Sequence, residues 1–259
     1  MPNRSHAQTI AVPGGSIFAT VTGRGPPVLL LHGFPETHLM WRGVAPLLAL
    51  EFTVVCADLK GYGASACPPS TPDHLPYSKR AMAAEMVEFM ATLGFDAFMV
   101  AGHDRGGRVA YRMALDHPAT VRSLAVLDIV PTSTVWDRAD DRFALGFWPW
   151  VLLAQAEPLP ERLITGAPDA IIDAALTGWG SSAAVFPPEV REAYIEALRN
   201  ADHVHAICEE YRAAAGIDRQ HDTHDQIYGR RIRCPLHALW SGTGALAAWY
   251  SDDGGPLTL

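Results

Sequence analysis

The stretch AGHDRGGR occupies residues 101–108 and follows an apolar run, so a strand (AFMVAG, 97–102) is predicted to feed directly into a helix (GGRVAYRMALDHP). Within it, Gly102-His103-Asp104-Arg105-Gly106 has the form small-x-acid-x-small. Small residues two before and two after the centre let a sharp strand-to-helix turn hold the middle side chain up into a cleft. The free N–H groups at the start of the following helix aim at the same place. An aspartate before a helix is also a favoured N-cap, which by itself would account for Asp104. The flanking glycines and an upstream HGFP turn (32–35) favour a nucleophile elbow instead.

Outward from this turn the chain alternates strand and helix. Residues 8–21 read as a hairpin (TIAV, PGG, IFATV). PPVLLLHG (26–33) and FTVVCADL (52–59) are continuous apolar runs of the kind that form parallel strands buried on both faces. Ser78 is positioned to cap a helix through Leu93, with Met82, Met86, Phe89 and Leu93 on one face and Gly94 as its stop. SLAVLDIV (123–130) is a further strand. From 131 to about 230 the pattern is helical, with no strand, and RCPLHALWSG (233–242) resumes the sheet. The expectation is an α/β fold with a mostly parallel sheet, in three parts. A core spans 1–130, a helical cap 131–230, and the core resumes over 231–259.

Composition narrows the function. The chain has 259 residues, 49% of them hydrophobic and 19% charged, with a net charge of −8. Its basic residues are scattered, so no nucleic-acid partner is expected. Cys56, Cys67, Cys208 and Cys234 form no CxxC pair and fit neither a metal site nor a disulfide framework. No metal or cofactor is expected. The N-terminal stretch has no apolar signal region, and no apolar run reaches membrane-spanning length. A cytoplasmic protein that does not bind membranes is expected.

The chain resembles the α/β-hydrolase-fold enzymes with a helical cap, the group that holds epoxide hydrolases and haloalkane or haloacetate dehalogenases. The resemblance covers almost the whole sequence. It is strongest to the fluoroacetate (haloacetate) dehalogenases, through HGFPETHLMW, ADLKGYGAS, GHDRGGR, LDIVPT and CEEYRA. GHDRGGR is the most specific of these, because epoxide hydrolases usually carry Trp where Arg105 stands.

The residue types agree with that chemistry. An aspartate suits displacement at a saturated carbon: the carboxylate attacks, a halide leaves or an epoxide opens, and an alkyl-enzyme ester forms. Arg105 and Arg108 lie three apart at the helix start and can grip a carboxylate, which predicts a small substrate bearing its own acid group, such as a 2-haloacid. The backbone N–H groups of Phe34 and Arg105 would form an oxyanion hole for hydrolysis of the ester. The resemblance implies that Asp128 orients a catalytic histidine. It also implies that Trp150 and Tyr211, in the cap, donate hydrogen bonds to the departing halide. In epoxide hydrolases a cap tyrosine near this point protonates the epoxide oxygen. Relatives imply a homodimer.

Two departures qualify the resemblance. The fluoroacetate dehalogenases carry a histidine where Pro149 stands, so one donor to the halide is lost and chloro- or bromo-acids are expected over fluoro-acids. The family's histidine follows the last strand, in the region beyond Leu259. The expectation is therefore a core lacking its final strand and helix, with ester hydrolysis impaired. Among the histidines present, His103 is expected to point away from the catalytic face or support the turn. The alternatives are an epoxide hydrolase and a hydrolytically impaired protein that binds a small acid.

Overall fold

The computed structural model describes residues 5–179 and 181–250. Seven strands form one sheet: β1 (His6–Val12), β2 (Gly15–Gly23), β3 (Pro27–Leu31), β4 (Thr53–Ala57), β5 (Phe98–His103), β6 (Val121–Leu127) and β7 (Leu236–Leu239). Their order across the sheet is β1-β2-β4-β3-β5-β6-β7. β1 and β2 form an antiparallel hairpin and β2 meets β4 antiparallel; every other pairing is parallel.

The apolar runs of β3 and β4 are explained by burial on both faces. Leu29, Leu31, Val55 and Ala57 enter the larger core cluster. Val28, Leu30, Val54 and Cys56 face the other way, against Trp41 and Ala49. Alternate residues point to opposite faces, so a strand covered on both sides has no polar face to show.

Two core helices matter for the site. α1 (Lys79–Thr92) begins where the Ser78 side chain accepts from the Ala81 N–H, and Gly94 follows it in the left-handed region (φ 86°). α2 (Asp104–Asp116) is buried along almost its whole length, from Arg105 to Ala114. It is wedged between the sheet and an insertion that joins β6 to β7. The insertion is helical from Thr132 to Ile227 among the described residues and includes α3 (Trp148–Leu153), α4 (Ala201–Ala215) and α5 (Ile217–Ile227). A short helix, α6 (Ala245–Tyr250), follows β7. The sequence reading had no element there: a six-residue helix is too short to show a periodic pattern.

Chain order runs outward in one direction from β3 to β4 and in the other from β3 to β5. This reversal leaves a crevice beyond the carboxyl ends of β3 and β5, where open α/β sheets bind ligands. Two glycines let the backbones close there. A methyl group at Gly106 would run into the carbonyl oxygens of Leu31 and His32, and one at Gly102 would strike the backbone of Gly106 and Gly107. Gly106→Ala should therefore lower stability by about 1–3 kcal/mol, as overpacking against rigid atoms does. A urea unfolding midpoint unchanged from wild type would refute this.

Candidate active site

Asp104 is the first residue of α2, and His103 holds the N-cap position. Asp104 is therefore not the cap of its helix. Its φ is 43°, the left-handed region that a non-glycine residue avoids at a cost of roughly 1–3 kcal/mol. That conformation throws the carboxylate out of the turn and into the crevice. The Gly106 N–H donates to the His32 carbonyl (2.9 Å), fastening the elbow to the HGFP turn. His32 fixes that turn from within. The Leu59 N–H donates to its Nε2 (3.0 Å), so Nδ1 carries the proton and donates to the Gly33 carbonyl (2.9 Å). Burial holds the His32 pKa below its ordinary value, in keeping with a neutral ring.

The Phe34 N–H donates to Oδ2 of Asp104 (3.2 Å). The amide expected in the oxyanion hole thus faces the carboxylate that would become the ester. Asp104, Phe34, Asp128, Pro149, Trp150 and Tyr211 share one small cavity of about 70 Å³. Trp150 and Tyr211 meet edge to face (6.1 Å between centroids), and Tyr211 meets Phe34 in the same way (5.7 Å). Burial pushes the Tyr211 phenol well above its ordinary range, so it is a neutral donor. Pro149 lies in the cavity wall with no N–H to offer.

Asp128 also has a positive φ (50°). Its N–H donates to the Leu239 carbonyl (2.8 Å), and its Oδ1 accepts from the Ser241 N–H (2.9 Å). Among the described residues no histidine is hydrogen-bonded to Asp128. His103 lines the cavity with Asp104 and Asp128, which corrects the expectation that it points away from the catalytic face. Its Nδ1 lies 3.6 Å from Oε2 of Glu36. Burial works against its charged form, but Glu36, Asp104 and Asp128 together raise its pKa above the ordinary value.

The two arginines stand behind the aromatic wall. The Arg105 guanidinium lies 4.7 Å from the Trp150 ring centroid and 4.0 Å from that of Tyr211, and Arg108 lies 4.5 Å from the Trp150 ring. Arg105 is fully buried and already holds a carboxylate. Its Nε contacts both oxygens of Glu210 on α4 (2.8 Å each) and its Nη2 contacts Oε1 (2.5 Å). Arg108 donates from Nη1 to the Val130 carbonyl (2.6 Å) and has no carboxylate partner among the described residues. Nη1 of Arg105 and Nε of Arg108 are buried without a hydrogen-bond partner. Burial and the neighbouring Arg105 push the Arg108 pKa down, against the longer-range attraction of Asp104 and Asp222.

Sequence reasoning missed the charges behind Arg105. Lys79, at the start of α1, contacts the same Glu210 and lies 3.3 Å from Asp218 on α5. The Tyr62 hydroxyl also reaches Glu210 (3.5 Å). All these groups are buried. The available signal was the acid beside Tyr211, in CEEYRA, facing a basic elbow.

An aspartate raised on a strained strand-to-helix turn, beneath a helical cap and beside a backbone donor, defines a hydrolase of the nucleophile-elbow class. Residues 26–165 match the alpha/beta hydrolase fold family, and the chain belongs to it. It is 48% identical to a fluoroacetate dehalogenase of Burkholderia sp, over 89% of this chain and 75% of that protein. It is 39% identical to a soluble epoxide hydrolase of Corynebacterium sp. (strain C12), over 49% of this chain and 42% of that protein. A solved structure from Nostoc sp PCC 7120, assigned to the alpha/beta hydrolases, superposes with a TM-score of 0.93 at 44% identity. It covers 96% of this chain and 84% of that one.

Glu210 neutralises two buried cations, so its removal should be severe. Glu210→Ala is expected to cost about 3–5 kcal/mol, the usual penalty for leaving a buried charge unpaired. Urea unfolding checks this, and a loss under about 1 kcal/mol would mean that water reaches the network.

Proposed function

We propose that the protein releases halide from a small 2-haloacid through an alkyl ester on Asp104. The observation that carries this reading is Arg108: a buried guanidinium one helical turn from the nucleophile, with no ion-pair partner among the described residues. A buried charge is costly unless paired, and a substrate carboxylate supplies the pair. The unpartnered Nη1 of Arg105 and Nε of Arg108 are the donors available to it. The acid end so held presents the α-carbon to Asp104, whose oxygen attacks as the carbon–halogen bond breaks and the halide departs with the bonding pair. The Trp150 N–H and Tyr211 O–H, both in the cavity wall, stabilise the leaving anion. The Phe34 N–H, together with that of Arg105, then stabilises the oxyanion formed when water attacks the ester.

An epoxide hydrolase is the second reading, and one observation favours it. The neutral Tyr211 hydroxyl stands in the Asp104 cavity, where it could protonate an opening epoxide. Arg108 weighs against it, because a neutral epoxide leaves that charge unpaired. A protein that binds a small acid without turning it over is the third reading.

The test is incubation with chloroacetate, bromoacetate and fluoroacetate, reading halide release and the mass of the Asp104 peptide. Chloride and bromide should be released faster than fluoride, and Asp104→Asn should abolish release. Arg108→Met should raise the half-saturating haloacid concentration about 10- to 100-fold, the equivalent of a ~1.5–3 kcal/mol hydrogen bond to a charged group. Styrene oxide turnover with no haloacid reaction would favour the second reading. Reversible haloacid binding with neither halide nor adduct would favour the third.

A further inference from the structure

Behind the aromatic wall lies a closed set of charges that the proposed chemistry does not use. Lys79 sits at the first position of α1, fully enclosed. Its ammonium contacts Glu210 of α4 and lies 3.3 Å from Oδ2 of Asp218 on α5. Its own N–H donates to Oδ1 of Asp218 (2.8 Å), which anchors that carboxylate independently of the side chain. Glu210 in turn grips Arg105. From the elbow helix, Arg105 and Arg108 both act on Lys79 electrostatically. Tyr62, on the loop after β4, completes the shell around Glu210. Lys79 does not line the cavity, and one carboxylate joins it to the Arg105 guanidinium behind the aromatic wall.

We propose that Lys79, acting through Glu210, is a positioning residue that sets the charge Arg105 and Arg108 present, so that binding of a substrate's carboxylate is coupled to retention of a proton on Lys79. This rests on the haloacid reading above and names a determinant of its substrate class. With Lys79 protonated, the cations Arg105, Arg108 and Lys79 balance the anions Asp104, Glu210 and Asp218. Glu210 is then shared between Lys79 and Arg105, and the guanidinium pair keeps attraction to spare for an incoming anion. If Lys79 loses its proton, Glu210 belongs to Arg105 alone and the set already carries a net negative charge. A second carboxylate then enters an unfavourable field that low local polarity leaves unscreened.

The linkage has a definite sign. Burial, and after it the repulsion of Arg105, lowers the Lys79 pKa to about 7 in the free protein. A carboxylate between the two arginines offsets that repulsion and raises the Lys79 pKa again. Anion affinity should therefore be highest below pH about 7 and fall as pH rises through it, by reciprocity between proton and ligand. One proton limits the fall to about tenfold per pH unit. A haloacid stays ionised throughout this range, so the substrate's own titration plays no part. His103 also titrates and lines the cavity, so its proton too would favour an anionic substrate; Lys79→Met, which leaves His103 in place, separates the two.

The experiment uses the full chain and chloroacetate, with chloroacetamide as the uncharged comparison, reading first-turnover halide release from about pH 6 to about pH 9. The half-saturating chloroacetate concentration should climb up to about tenfold per pH unit above neutrality while the limiting rate follows the amide's. The chloroacetamide value should not climb. Lys79→Met should flatten the chloroacetate profile at a raised half-saturating concentration, and Lys79→Arg should restore low values without the pH dependence. A flat wild-type profile, or a slope that survives Lys79→Met, overturns the proposal. If Lys79→Met does not fold, calorimetry of acetate binding to His103→Gln in two buffers of different ionisation enthalpy decides. Proton uptake near pH 8 with acetate supports the proposal, and its absence overturns it. Failure of the haloacid reading looks different: no haloacid would alkylate Asp104 at any pH.

Discussion

The close approach of two backbones at the ends of β3 and β5 governs what this protein can do. Gly106 must pass against the carbonyls of Leu31 and His32, and Gly102 against the next turn of α2. With both glycines in place, the Gly106 N–H reaches the His32 carbonyl and the chain has only a left-handed residue with which to turn. Asp104 is that residue. Its strain is maintained because the surrounding contacts determine the turn more strongly than the residue resists it. The same geometry drives the first turn of α2 into the protein, so the side chains beside the nucleophile, Arg105 and Arg108, are buried.

The rest of the electrostatics follows from that burial. Taking a guanidinium out of water costs several kcal/mol even after relaxation, so it needs partners with good geometry. α2 carries three arginines on its buried length, and the cap answers two of them. Glu210 on α4 holds Arg105, and Asp225 on α5 holds Arg112, helped by Asp116 within α2. Arg108 is answered by a backbone carbonyl and an indole face. The insertion is thus attached to the core by ion pairs along the nucleophile's helix, and Arg108, one turn on from Asp104, is left without an ion pair among the described residues. A buried ion pair is weak evidence for stability, but a buried cation without an anion is an informative site for a ligand.

Much of the fold was legible in the sequence, for local reasons. The doubly covered strands β3 and β4 are continuous apolar runs because both of their faces enter cores. α1 carries its own start and stop signals in Ser78 and Gly94. Asp104 could be placed because the elbow's requirements are local: glycines at fixed offsets, a strand before and a helix after. The partner of Arg105 could not, since Glu210 lies 105 residues further along the chain and only the fold joins them. Nothing local marks out Lys79, which directly follows the Ser78 cap. Its role appears only when α4 and α5 close over it. His103 does not point away from the catalytic face, one of the two places expected for it. A left-handed residue after a strand turns the chain sharply enough for both side chains to face the same cavity.

Relatives of this chain include both a dehalogenase and an epoxide hydrolase, so the fold and the nucleophile do not separate the two chemistries. The first step is shared: a carboxylate oxygen displaces a leaving group at carbon. What differs is the charge that enters and the charge that leaves. An epoxide enters neutral and its oxygen must be protonated, so a neutral phenol is the needed partner. A haloacid enters as an anion and expels a second anion, so the site needs a fixed positive field at one end and neutral donors at the other. Here the positive field is built in and buried, on the helix that carries the nucleophile, while Trp150 and Tyr211 line the cavity that Asp104 enters. The Tyr211 phenol could serve either chemistry. On the haloacid reading proposed above, Arg108 is the residue that would favour an anionic substrate over a neutral epoxide.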